Sequence, residues 1–199
     1  LLSLANHNKS NMARIQNTQG FLWGNGDCRN TYFYKKSQVI YDLTFFFAHK
    51  FLTSKDRTVD QMIQAARSGK QNFVEGMADG VTSTEMQIKL LNVGKSSLLE
   101  LREDYEDYLR TRNLVIWDNS HPRYSPMVTY CKYHNDLPYY QPFFTKWTAE
   151  ELSNVALTLI HQTDKMMESY LTRLETFFVK NGGIKEAMAK ARLQSKNAR

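Results

Sequence analysis

A chain of 199 residues with 42% apolar content is long enough for one domain with a real core and short for two. No apolar run reaches the roughly 20 residues a membrane span needs; the longest, "LTFFFAHKFL", is broken by His49 and Lys50. The formal charge of +6 is uneven: residues 1–36 carry five Lys/Arg against one Asp, residues 180–199 six against one Glu, and the stretch between 15 basic against 18 acidic residues. A mildly acidic body with two basic ends suits either phosphate binding or a pair of solvated tails.

In chain order, residues 1–32 read as a polar extension. They show no charged region leading into an apolar one, so no secretory leader is expected. Leu1 opens the chain, and Met12 is either a natural start or internal to a fragment. Cys28 and Cys131 lie far apart and make no disulfide framework, so a reduced, cytoplasmic protein is expected. A first helix is predicted from about Lys36 to Leu52, with Val39, Ile40, Leu43, Phe46, Phe47 and Phe51 recurring at three- and four-residue steps.

A second helix follows "TSKDRT" and stops near Asp79-Gly80, with an apolar stripe of Val59, Met62, Ile63, Ala66, Phe73, Val74 and Met77. A third opens with "TSTE", where Thr82 and Glu85 form a capping box, and runs to about Arg112 behind Met86, Leu90, Gly94, Ser97, Leu98, Leu101, Tyr105, Tyr108 and Leu109. Small residues cluster on both helices: Ala65, Ala66, Ser68 and Gly69 on one, and Gly94, Ser96 and Ser97 on the other. Mid-helix glycine costs about 1 kcal/mol relative to alanine, which predicts a close crossing near Gly69 and Gly94.

All four prolines and nine aromatic residues fall between Asn113 and Trp147. This long connection reads as functional or as a packed layer, with a small hairpin over "LVIW" and "MVTYCKY" as its strand candidates. A fourth long helix opens with a second capping box, Thr148 and Glu151, and stops at Asn181-Gly182-Gly183. A short basic helix, "IKEAMAKARLQSK", follows. The expected fold is all-α: an antiparallel up-down four-helix bundle over 33–183, with 113–147 inserted and a basic suffix at 184–199.

"ARSGKQNFVEGMADGVTSTEMQIKLLNVGKSSLLELREDYEDYL", with Asn72, Glu75 and Gly76 in an Asn-x-x-Glu-Gly pattern, resembles bacterial four-helix-bundle proteins. Those include proteins encoded in intervening sequences of large-subunit ribosomal RNA and the accessory variability determinant of diversity-generating retroelements. "YKKSQVIYDLTFFFAHKFL", "DRTVDQMIQAARSGKQN" and "NGGIKEAMAKARLQSKNAR" resemble the four-helix-bundle suffix branch, so the likeness covers about residues 33–199. It implies ring-like homo-pentamers and work alongside a reverse transcriptase and nucleic acid. It carries no catalytic residues.

The residues themselves support only part of that. Ile88, Leu91, Lys95 and Leu99 form a second face on the third helix, which suits either self-association or cover for the long connection. Arg67 and Lys70, also candidates for nucleic-acid contact, stand near Asn72 and Glu75, as a polar constellation at an oligomer interface or a nucleic-acid contact, or as routine helix pairs. Glu100, Glu103, Asp104 and Asp107 share a helical face, but no Glu-x-x-His accompanies them, so a salt-bridged surface is expected. Cys131 and His134, with His121 and Cys28, are a weak zinc pattern. No phosphate loop, nucleophile elbow or metal-protease motif appears, so neither an enzyme nor a cofactor is expected. The leading expectation is an oligomer that binds RNA or DNA backbone through Lys35, Lys36, Lys185, Lys190, Arg192, Lys196 and Arg199. The alternative is a protein scaffold using the third helix and the aromatic segment.

Overall fold

Helical periodicity dominates the sequence, and the computed structural model, which describes residues 28–80 and 83–197, is all-α. Among the described residues there are six α-helices and no strand: α1 Tyr32–Phe51, α2 Thr58–Asp79, α3 Thr84–Thr111, α4 Tyr124–Tyr133, α5 Ala149–Asn181 and α6 Ile184–Asn197. Most of the extension at 1–32 lies outside the described residues. No described helix is long and apolar enough to cross a membrane.

The four long helices pack in a closed cycle, α1 on α2, α2 on α3, α3 on α5 and α5 on α1. Neighbours run in opposite directions. Phe33 meets Phe73 edge-on at 5.6 Å while Tyr41, further along α1, lies under Lys70. Lys95 pairs with Asp164 at 3.4 Å, and Gln87 donates to the Tyr170 hydroxyl at 3.2 Å. Val39, Ile40, Leu43 and Phe47 meet Met62, Ala66 and Phe73, then Leu91, Leu98, Leu101 and Tyr105, then Leu152, Leu159, Ile160 and Met167 in one buried core. Burying apolar surface stabilises such a core by roughly 25 cal/mol per Å².

The crossing of α2 and α3 lies at the two glycines. A Cβ on Gly94 would stand 2.6 Å from the Phe73 ring and 3.0 Å from the Gly69 carbonyl; one on Gly69 would stand 2.7 Å from Leu98. Ser68 Oγ and Ser97 Oγ share a hydrogen bond across the seam at 3.0 Å. The helix entropy that glycine sacrifices is offset by this approach, which no larger residue permits.

Helix ends follow local chemistry. Thr148 Oγ1 accepts from the Glu151 amide at 3.2 Å and the Glu151 carboxylate accepts from the Thr148 amide at 2.7 Å, so the capping box of α5 forms as expected. The box expected at the start of α3 does not: Ser83 is the cap, its Oγ accepting from Met86 N at 3.2 Å, and Thr82 lies outside the described residues. The core stripe of α3 differs from the expected one in its first two turns. Gln87 and Leu91 are buried where Met86 and Leu90 were expected, and Met86 is 43% exposed. The C-terminus of α3 is a Schellman turn that the sequence reading missed. Asn113 takes φ 56°, its amide bonds to the Arg110 carbonyl at 3.3 Å, and the Leu114 amide bonds to the Leu109 carbonyl at 2.9 Å.

The segment 113–147 is a layer built around α4, and the hairpin expected there is absent. "YSPMVTYCKY" is β-branched and aromatic enough to look strand-like, yet it is helical. Pro126 sits in the first turn, where its missing N–H has no intrahelical acceptor to lose. Two 3₁₀ turns, Leu137–Tyr139 and Gln141–Phe143, carry the chain back to α5.

Candidate functional site

Polar side chains of α5 and α1 fix the layer. Asn154 accepts from the Trp117 amide at 2.7 Å and donates to the Val115 carbonyl at 2.9 Å. Glu150 accepts from Trp117 Nε1 at 3.0 Å and from the Val115 amide at 3.1 Å. Gln162 donates to the Val128 carbonyl at 3.0 Å. Arg123 pairs with Glu151 and lies over the Trp117 ring, whose other neighbour is the stacked His121.

Lys36 was expected at a phosphate. Instead it is wholly buried, and its ammonium donates to the carbonyl of Cys131 and, at 3.5 Å, to that of His134. These carbonyls end α4, where the helix dipole favours a cation. Burial lowers the Lys36 pKa to about 8, with Cys131 pulling the other way. Burial likewise pushes the Cys131 thiol up to about 11. Tyr140 is fully buried and donates to the His134 carbonyl at 2.7 Å. Cys131 is therefore a packed thiol, and among the described residues no three His, Cys, Asp or Glu side chains are grouped to hold a metal ion.

The remaining sequence candidates scatter. Lys35 pairs with Asp136 at 2.8 Å. Lys70 lies 4.2 Å over the Tyr41 ring. Asn72 faces the opposite way, donating to Ser68 O at 2.9 Å and Ser68 Oγ at 3.2 Å, and so extends the α2–α3 seam. Gly76 admits Leu91, which a Cβ would meet at 3.1 Å, while Glu75 is exposed. The constellation of Arg67, Lys70, Asn72 and Glu75 is thus split between two faces of α2.

The second face of α3 is also largely spent within the chain. Leu91 is fully buried, which removes it from any oligomer surface, and Lys95 is paired with Asp164. Ile88 and Leu99 are half-buried. The acidic stretch of α3 is a salt-bridged surface, with Arg102 beside Glu103 at 3.0 Å and Glu106 at 3.4 Å, and Arg110 beside Asp107 at 2.6 Å.

What remains is α6. Lys185, Lys190, Arg192 and Lys196 are exposed, with Glu186 as the acid among them. The Glu186 carboxylate is engaged by the Gly183 amide at 2.8 Å, and none of the four cations holds an ion pair among the described residues. Arg199 lies outside the described residues. Comparison with protein-family models, curated proteins and solved structures returns no match.

Proposed function

We propose that this protein is a non-catalytic helical scaffold that binds the phosphate backbone of RNA or DNA through α6. The observation that carries the reading is the density of exposed cations on α6. It presents four on 14 residues, beside one acid whose carboxylate is engaged by a backbone amide. On the body, Lys36 is buried, Lys35, Lys95, Arg102, Arg110, Arg123 and Lys165 are paired, and the exposed cations that hold no ion pair among the described residues are spread over several elements. Unpaired surface lysine and arginine keep their full attraction for a polyanion, and phosphate contacts release counterions, so binding weakens steeply as salt rises.

The antiparallel packing of the four long helices supports the proposal that they form the bundle of the resembled family; assembly as a homo-oligomer, a pentamer, rests on the resemblance alone. Light scattering of the purified chain, with and without structured RNA at low and moderate salt, tests both parts. A discrete oligomer that takes up RNA and releases it with salt is the expected result; indifference to RNA at low salt overturns the reading. Self-association and the scaffold alternative through this face of α3 are both weakened because Leu91 and Lys95 are used within the chain.

A further inference from the structure

One aromatic row runs out from the edge of the core: Tyr41 is half-buried against it, and Phe45 and His49 are exposed. Tyr41, Phe45 and His49 recur every four residues on α1, so their side chains stack along one face at about 6 Å of rise per step. Tyr41 and Phe45 have ring centroids 6.4 Å apart, and Phe45 and His49 4.3 Å apart with planes tilted by 37°. Phe45 is 47% exposed, a large share for a phenyl ring, and His49 is exposed beside it. The His49 Nδ1–H donates to the Phe45 carbonyl at 2.8 Å, which holds the imidazole against its neighbour. The other rings of α1 are used differently: Phe47 packs on Tyr105 and Tyr108, and Phe46 on Phe144.

The rim of this row is cationic. Lys70 reaches from α2 to sit 4.2 Å over Tyr41, which fixes the side of α2 that borders α1. Arg67 lies one turn earlier on that side, exposed and without an ion pair among the described residues. The acid that faces the rim is Asp42, half-buried beside Lys70. Lys50, next to His49, turns away over Phe46 and Phe51.

We propose that the Tyr41–Phe45–His49 row stacks against unpaired bases of a single-stranded nucleic acid, with Arg67 and Lys70 taking its phosphates; this rests on the reading of α6 as a polyanion contact and adds to it the form of the ligand. Charge complementarity selects this occupant. An apolar protein surface laid on the row would strip water from an arginine and a lysine without pairing them, a cost that grows with burial. A nucleic-acid strand brings a π-face for each ring and an anion for each cation. A duplex brings only the anions, because its base faces are already stacked inside.

The test is fluorescence anisotropy with a labelled single-stranded oligonucleotide and a duplex of the same length. The proteins are the wild-type chain, a Phe45→Ala/His49→Ala variant and a Lys190→Glu/Arg192→Glu variant, each checked for an unchanged thermal melt. The expected result is a wild-type preference for the single strand. Loss of the rings should weaken single-strand binding about tenfold while leaving duplex binding and the salt slope as they were. Where the double variant melts early, Phe45→Trp replaces it, and quenching of the added indole by the single strand is the expected signal.

Equal affinity for both forms, an unmoved single-strand affinity in the ring variant, or an unquenched indole overturns the proposal and leaves the α6 reading standing. So does a fall in light-scattering mass of the ring variant alone, which would make the row a contact between copies. A wild-type chain that binds neither form at low salt overturns both.

Discussion

The seam between α2 and α3 and the docking of residues 113–147 hold the molecule together by opposite means. The seam works by leaving side chains out: Gly69 and Gly94 let two backbones approach until a Cβ would clash. The 113–147 layer works by putting side chains in: Asn154, Glu150, Gln162 and Lys36 each satisfy backbone groups of a segment that makes no ladder of its own. A seam of the first kind tolerates no added volume. A contact of the second kind tolerates volume but not the loss of a donor or acceptor.

Gly94→Leu presses that difference hardest. Its side chain has nowhere to go between Phe73 and the Gly69 carbonyl, so cooperative thermal unfolding followed by circular dichroism should be lost, and Gly69→Leu should do the same. Gly94→Ala should still cost about 1–3 kcal/mol. Gly69→Ala should cost less, because it presses on the rotatable Leu98 side chain.

Asn154→Leu comes next. It leaves the Trp117 amide and the Val115 carbonyl without partners, at about 2–3 kcal/mol. Urea unfolding should show the loss, and tryptophan emission should shift at native helix content, since the layer loosens while the long helices stay. An unshifted emission would mean that Glu150 alone holds Trp117.

Lys36→Met gives a pH signature. The folded-state value of about 8 lies below the ordinary 10.5, so the folded chain gives up this proton before the unfolded one. The penalty for holding the charged amine is full below about pH 8 and is relieved as pH rises toward 10.5, so wild-type stability gains across that window. Cys131, pushed from 9.0 up to about 11, acts oppositely in both proteins, and loss of the nearby Lys36 charge raises it further in the variant, which moves the difference in the same direction. The urea midpoint of wild type relative to Lys36→Met should therefore climb over this range. A flat difference would place the Lys36 ammonium in contact with water.

The smallest effect on stability is expected from Lys190→Glu/Arg192→Glu. These side chains are exposed and hold no ion pair among the described residues, so the melt should stay within about 0.5 kcal/mol. Any RNA affinity, by contrast, should fall.

Much of the framework could be read in one dimension. The stripes of α1 and α2, the Thr148–Glu151 box and the paired small residues are all set by neighbours within a turn or two. Less could be read where distant segments meet. Lys36 lies in a run that looks basic and exposed, and only the arrival of Cys131 and His134 shows why a lysine stands on the buried face. Helix α4 was missed because its residue types favour strands and its proline discourages a helix until its first-turn position is known. Leu91 was read onto the wrong face because the apolar pair Met86 and Leu90 sits one position before Gln87 and Leu91, and only the close approach of Gly76 to Leu91 shows which pair faces α2. The cations of α6 were legible as exposed, and they hold no ion pair among the described residues. The aromatic row on α1 was hidden among the other rings of the same helix.

The Lys36 contacts also bear on the order of assembly. They join residues 95 and 98 positions apart, whereas the Ser68–Ser97 bond across the seam spans 29. Closing the longer loop costs more chain entropy and is rewarded only once its receiving surface exists. The α2–α3 hairpin should therefore form early and the 113–147 layer dock late. Pulse-labelled amide exchange during refolding should protect Leu98 and Leu101 before Cys131 and His134, and a ligand that grips the late layer would act as a clamp on a finished fold rather than as a nucleus for it.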